Sequence, residues 1–171
     1  HGGDVTSLVL VPRLADAVRV PIVAAGGFAD GRGLAAALAL GADGIAMGTR
    51  FMSTAESPVH ADAKRAAIDT DSDGTVYSRR FDGQPCRVMR SPAADRAIRR
   101  GLSFTRAAVA SREIAHTMGV PHWKLALGVL ASGWKNTRQL AHLATAFQAF
   151  RRATEEGDRE RGVLPLGQVA G

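Results

Sequence analysis

Apolar positions in the first fifty residues alternate between two periods. Leu8, Val11, Leu14, Ala15 and Val18 recur at three- and four-residue spacing, the stripe of one helix face over 8–18. Residues 21–25 then form a continuous apolar run closed by Gly26 and Gly27, the pattern of a buried strand. Asp30 offers a helix N-cap, and 34–40 is an alanine- and leucine-rich helix stopped by Gly41. A second buried strand is predicted over 45–47, ending at Gly48. The order helix, strand, helix, strand implies parallel strands joined by helical crossovers, an α/β arrangement.

Beyond Phe51 the pattern changes. A helix is expected over 59–68, an acidic turn over 69–74, and an alternating strand over 75–81 that Gly83 and Pro85 end. From 93 to 154 the periodicity is helical, with breaks at 119–121 and around Gly133; the tail 157–171 is punctuated by Gly162, Pro165 and Gly167. Three parts are therefore expected: 1–55 with the βα units, 56–156 mostly helical with a short strand region, and 157–171 as a tail.

Length and composition narrow the class. With 171 residues and 46% hydrophobic content the chain can bury a core. It has no run of about 18 apolar residues to span a bilayer and no signal-peptide pattern, so a cytoplasmic address is the default expectation. The single cysteine, Cys86, allows neither an internal disulfide nor a cysteine-rich metal site, and is expected to be a small side chain near a strand end rather than a nucleophile. The net charge of +6 is uneven: residues 87–112 hold seven arginines against Asp95. That stripe is a solvated helix surface or a landing place for an anionic partner. With aromatics at 5% and no reading motif, a nucleic-acid module is not expected.

The strongest chemical signal is a pair of glycine-closed strands, Ala24-Ala25-Gly26-Gly27-Phe28-Ala29-Asp30-Gly31-Arg32-Gly33 and Gly41-Ala42-Asp43-Gly44-Ile45-Ala46-Met47-Gly48-Thr49-Arg50-Phe51. Glycine at a strand tip lets backbone N–H groups approach an anion closely. The loops after the last two strands of a (β/α)8 barrel are a recurrent phosphate site. Two βα units cannot close such a barrel, so the chain reads as the C-terminal part of a TIM (β/α)8 barrel with an added mostly helical segment, the N-terminal part of the domain being absent from it.

These two segments, together with His1-Gly2-Gly3, resemble the nitronate monooxygenases, formerly called 2-nitropropane dioxygenases, and are shared with the related flavin-dependent enoyl-acyl-carrier-protein reductases. Asp69-Thr70, Gly83-Gln84-Pro85-Cys86-Arg87-Val88-Met89-Arg90, Gly157-Asp158 and Gly167-Gln168-Val169-Ala170-Gly171 extend the likeness. The resemblance implies FMN as cofactor. Its phosphate is expected on Gly26 and Gly27 and on the backbone of Ala46, Met47, Gly48 and Thr49, with the Thr49 hydroxyl as an extra donor and Gln168 as a further flavin contact. His1 matches the histidine that takes the α-proton of a nitroalkane or steers its nitronate, work that suits an imidazole of ordinary pKa near 6.5.

The implied reaction is oxidation of an alkyl nitronate by dioxygen to a carbonyl compound and nitrite. The alternatives are FMN- and NAD(P)H-dependent enoyl-acyl-carrier-protein reduction, with the basic stripe receiving an acidic carrier, or an inactive half-barrel. Small-molecule substrates and dioxygen are the expected partners, with neither nucleic acid nor membrane; a homo-oligomer is compatible. His60 is expected on an exposed helix and His142 on an amphipathic one. His116 and His122 flank the break at 119–121 without a carboxylate set for metal, and Trp123 and Trp134 are expected to pack or to cover a pocket.

Overall fold

The computed structural model describes residues 3, 5–101, 103–117 and 119–169. His1, Gly2, Ala170 and Gly171 lie outside the described residues, and with them the expected catalytic histidine.

The opening unit follows the predicted order. Helix α1 (Ser7–Ala17) leads to strand β1 (Val23–Ala25), helix α2 (Gly31–Ala39) and strand β2 (Gly44–Ala46). The strands pair in parallel with Val23 opposite Gly44, Ala24 opposite Ile45 and Ala25 opposite Ala46. Asp43 pins the entrance of the pair: its carboxylate accepts the Ile22 N–H at 2.7 Å, while its own N–H donates to the Ile22 carbonyl at 2.8 Å. Val11, Ala24, Phe28, Ala37 and Ala42 form the core between strands and helices.

Among the described residues this unit has two parallel strands joined by a helix, the α/β arrangement expected. One expectation is corrected: the predicted stripe on α1 is largely uncovered, since Val11 is buried, yet Leu8 is 70% exposed and Leu14 and Val18 are exposed as well. One helix and one strand face cover only the side of α1 that carries Val11. The strand pair shows the same asymmetry, since Ala24 is buried while Val23 is 64% exposed on the opposite face.

The second half is built around a hairpin. A short helix α3 (Thr49–Met52) and helix α4 (Ala61–Ile68) precede strands β3 (Thr75–Ser78) and β4 (Cys86–Met89), which pair antiparallel with Thr75 opposite Met89. His60 is the N-cap of α4 and not a residue of its exposed face; its Nδ1 accepts the Asp62 N–H at 3.2 Å. Helices α5 (Pro92–Arg100), α6 (Phe104–Thr117), α7 (His122–Ala131) and α8 (Trp134–Thr154) follow. A break between α5 and α6 was not anticipated; it falls at Gly101, whose φ of 61° suits glycine.

The tail is less loop-like than its glycines and proline suggest. Val163, Leu164 and Leu166 are buried, Met89 N–H donates to the Leu164 carbonyl at 2.8 Å, and Pro165 bridges Val88. The tail thus lies beside β4 as a third, irregular strand. Ala63, Ala66, Ala67, Met89, Ala153, Leu164 and Leu166 make one core there, and Phe81, Cys86, Val88, Ala93, Ala94 and Val163 make another. Cys86 is 4% exposed, and burial, reinforced by Asp82, pushes its thiol pKa up, which leaves little thiolate for nucleophilic work.

Replacing Asp43 with Ala removes the acceptor of the Ile22 N–H at the mouth of the parallel pair. A loss of about 1–2 kcal/mol is expected, read as a lower urea midpoint, with Asp43→Asn recovering part of it; an unshifted midpoint for Asp43→Ala contradicts the anchoring role.

Candidate functional site

The register of β1 and β2 decides the site. Because Ala25 stands opposite Ala46, the residues that follow each strand, Gly26-Gly27 and Met47-Gly48-Thr49, leave the sheet side by side. Gly26 and Gly27 have φ of 89° and 86°, backbone that L side chains rarely adopt, so the turn after β1 requires glycine. The Ser7 hydroxyl donates to the Gly26 carbonyl at 2.9 Å and holds that turn from the start of α1.

Among the described residues no side chain fills the space at Gly27 and Gly48. A Cβ placed on Gly27 or Gly48 meets nothing within 4 Å, and Ala25, Gly26, Gly27, Ala46 and Gly48 are all exposed. Met47 is half-buried, with its side chain packed against the first core. The strand tips therefore offer an open, backbone-lined notch in which N–H groups from two loops can meet one anion.

The start of α2 is spoken for. Asp30 accepts the Arg32 and Gly33 N–H groups at 3.0 and 3.1 Å, and the Arg32 guanidinium, 94% exposed, bonds its second oxygen at 2.9 and 2.7 Å. The Arg32 side chain, then the Gly33 amide, hold the Asp30 carboxyl below its usual pKa. The cap expected of Asp30 is the arrangement found. Donors for an anion must then come from the two glycine turns and the first amides of α3, which precede its first intrahelical bond, Met52 N–H to the Gly48 carbonyl.

The tail closes the notch on its third side. Gly167 N–H donates to the Thr49 Oγ1 at 2.8 Å, and the Ser72 hydroxyl donates to the Gln168 carbonyl at 2.8 Å. The Thr49 hydroxyl thus accepts from the tail and keeps its own proton to donate. Gln168 is exposed beside this junction. Gly26, Gly27, Ala46, Met47, Gly48, Thr49 and Gln168 are in this way gathered around one end of the strand pair, whereas His1 lies outside the described residues.

Residues missed from sequence are the ones that hold this arrangement: Ser7, Asp43, Ser72 and Gly167 as a donor. Asp43 carried a signal, an acid one residue before a strand-opening glycine; the hydroxyls of Ser7 and Ser72 carried none, because their partners are 19 and 96 residues away.

The other polar candidates fall elsewhere. His122 Nε2 pairs with the Ser111 hydroxyl at 2.9 Å and His116 is exposed. His142 packs against Gly83, where burial and then Arg138 hold its pKa below the usual value. Among the described residues no three His, Cys, Asp or Glu side chains converge as metal ligands. Trp123 and Trp134 are 64% and 72% exposed and so lie outside the core, with the Lys124 ammonium 5.5 Å from the Trp123 ring. No helix among the described residues is long and apolar enough to cross a membrane.

Comparison with known proteins bears directly on these strand tips. The model of the nitronate monooxygenase family matches residues 1–171. The chain belongs to the nitronate monooxygenase family. Within that family's reach, a Rhodococcus jostii protein named (3aS,4S,5R,7aS)-5-hydroxy-7a-methyl-1-oxo-octahydro-1H-indene-4-carboxyl-CoA dehydrogenase is 38% identical over 176 residues, covering 100% of this chain and 50% of its own length. A probable nitronate monooxygenase of Staphylococcus saprophyticus is 41% identical over 81 residues, 47% of this chain and 23% of its own. Among solved structures, FabK from Thermotoga maritima superposes with a TM-score of 0.65 at 34% identity, covering 98% of this chain and 43% of that one. A nitroalkane oxidase from Streptomyces ansochromogenes superposes with a TM-score of 0.62 at 27% identity, covering 96% and 38%. The chain spans about half the length of the curated relatives that it matches throughout.

Thr49→Val removes the acceptor of the Gly167 N–H. Hydrogen exchange at that amide should accelerate about fivefold, the loss of roughly 1 kcal/mol of protection, with Thr49→Ser restoring it; unchanged exchange in Thr49→Val contradicts the tether.

Proposed function

We propose that this chain supplies the phosphate-holding end of an FMN-dependent oxidoreductase, the two βα units being part of a (β/α)8 barrel completed by strands outside the chain. The observation that carries this is the pair of open glycine tips on adjacent parallel strands, with Ala25 opposite Ala46 and nothing within 4 Å of a Cβ on Gly27 or Gly48. A phosphate fits such a notch because backbone N–H groups supply fixed partial charges at no side-chain entropy cost. The uncovered Val23 face supports the barrel, since parallel strands are as a rule buried on both faces.

Gly26, Gly27, Ala46, Met47, Gly48 and Thr49 would hold the FMN phosphate, with the Thr49 hydroxyl donating its remaining proton and Gln168 lying at the flavin side. Bound there, FMN would supply the redox chemistry of the reaction. His1 is proposed as the base for the α-proton of a neutral nitroalkane, or as the group that steers an anionic nitronate. With a nitronate as substrate and dioxygen as oxidant, the products are a carbonyl compound and nitrite; the family's name and the nitroalkane oxidase neighbour support this substrate.

Thioester chemistry is the second reading, and a specific observation favours it. The relatives matching the whole chain are named as dehydrogenases of a carboxyl-CoA, whereas the probable nitronate monooxygenase matches 47% of it. On this reading an acyl thioester is oxidised or reduced at the expense of a nicotinamide nucleotide. Oxygen uptake with a nitronate in the absence of nicotinamide nucleotide selects the first substrate; nicotinamide turnover that depends on a CoA or carrier thioester selects the second.

Gly48 is the decisive position for the cofactor. Its φ is −84°, so a larger residue is not strained there, and its Cβ would enter open space. Gly48→Leu in the flavin-binding protein should therefore keep its thermal midpoint while losing bound flavin at least tenfold, read as flavin absorbance per protein after gel filtration. Full flavin content in that variant sinks the phosphate assignment. His1→Gln should slow turnover of a neutral nitroalkane by about 10²-fold or more and that of the preformed nitronate far less; equal effects on both contradict the proton-taking role.

A further inference from the structure

A second cleft lies away from the strand tips, between β3, α5, α6, α8 and the tail, with a volume of about 530 Å³. That is within the range of roughly 300–1,000 Å³ usual for small-molecule sites. Its wall is lined by Arg80, Arg96, Arg100, Arg106, Arg152 and Arg161, and no Asp or Glu among the described residues lines it. The floor is apolar, with Phe81 and Val163 buried at its base.

Among the described residues none of these six arginines pairs with a carboxylate. Arg80 donates to the Ile98 carbonyl at 2.9 Å, Arg106 to the Gly101 carbonyl at 3.1 Å, and Arg96 to the Glu160 carbonyl. A carbonyl orients a guanidinium without cancelling its charge. Among the nearby acids, Glu113 and Glu155 pair with Arg151, the Asp158 carboxylate accepts the backbone amides of Glu160 and Arg161, and Asp82 is buried beside His142. Arg100 and Arg152 make no ion pair among the described residues. Six like charges around one concave, partly apolar space repel one another unless an anion compensates them, and guanidinium groups match phosphate oxygens in a planar, two-pronged way.

We infer that this cleft binds the phosphorylated adenosine diphosphate end of a soluble coenzyme, its phosphates on the arginines and its base against the apolar floor. The shared chemistry is a diphosphate plus one ribose phosphate, which occurs both in coenzyme A and in NADPH. The choice of coenzyme A as the first probe rests on the thioester reading above; the cleft itself does not.

The test is calorimetric binding of coenzyme A, dephospho-coenzyme A, NADPH, NADH and inorganic phosphate to the flavin-loaded protein. Coenzyme A or NADPH should bind at least tenfold more tightly than its counterpart lacking the ribose phosphate, and the tighter of the two names the source. The double variant Arg100→Gln/Arg152→Gln should weaken that binding at least tenfold, whereas Arg138→Gln, outside the cleft, should not, and flavin content should stay unchanged in both. Binding no tighter than inorganic phosphate, or equal loss in the cleft and control variants, overturns the inference. Cleft-dependent coenzyme A binding without thioester turnover would retain the site and reject the thioester reading; thioester turnover with kcat/KM untouched by the double variant would do the reverse.

Discussion

The parallel pairing of β1 with β2 is the constraint on which the candidate site depends. Each strand is three residues long, so a slip of one residue would turn Ala24 out of its core and put Val23 in its place. It would also separate the glycine turns by one rise along the strand, roughly 3.3 Å, more than an N–H group can reach across. The register is held at its far end by Asp43 and Ile22 and at its near end by Ser7 on the Gly26 carbonyl. The ladder between the strands and the burial of Ala24 are short, so these contacts at the turns reinforce the register at both ends.

The second half of the chain serves the same end by a longer route. A run of buried apolar side chains, Val163, Leu164 and Leu166, seats the tail against β4, and only then does Gly167 arrive at Thr49. Burial supplies the free energy and the hydrogen bond supplies the position. A Cβ on Gly167 would stand 3.2 Å from the Thr49 Oγ1, tight enough that glycine is the residue that permits the approach.

What could be read along the chain was whatever is decided locally. Asp30 as a cap, Gly41 as a stop, the two short apolar runs and the glycine turns follow from the preferences of neighbouring residues, and the helices from 61 to 68 and beyond 92 follow from periodicity. The pairing of β3 with β4 was not legible: Cys86, Arg87, Val88 and Met89 alternate poorly, since three of the four are buried. Nor was the exposure of Leu8, Leu14 and Val23 legible. A periodic stripe states that a face is apolar, and whether another element covers it is a property of the assembled fold. The tail's role was likewise hidden, because its proline and glycines mask an apolar run whose partner lies more than seventy residues earlier.

The two proposed sites differ in the kind of donor each would use. At the strand tips the donors would be backbone amides, joined by the Thr49 hydroxyl, and the glycines there are dictated by φ or by the open space they leave. Around the second cleft the donors would be arginine side chains on helices, on the turn after β3 and on the tail. A fold that keeps a cofactor anchor in its backbone and its other anion contacts in side chains can change partners while conserving the anchor. Such a division would suit a chain whose relatives are named for carboxyl-CoA dehydrogenation and for nitronate oxidation, at 38% and 41% identity.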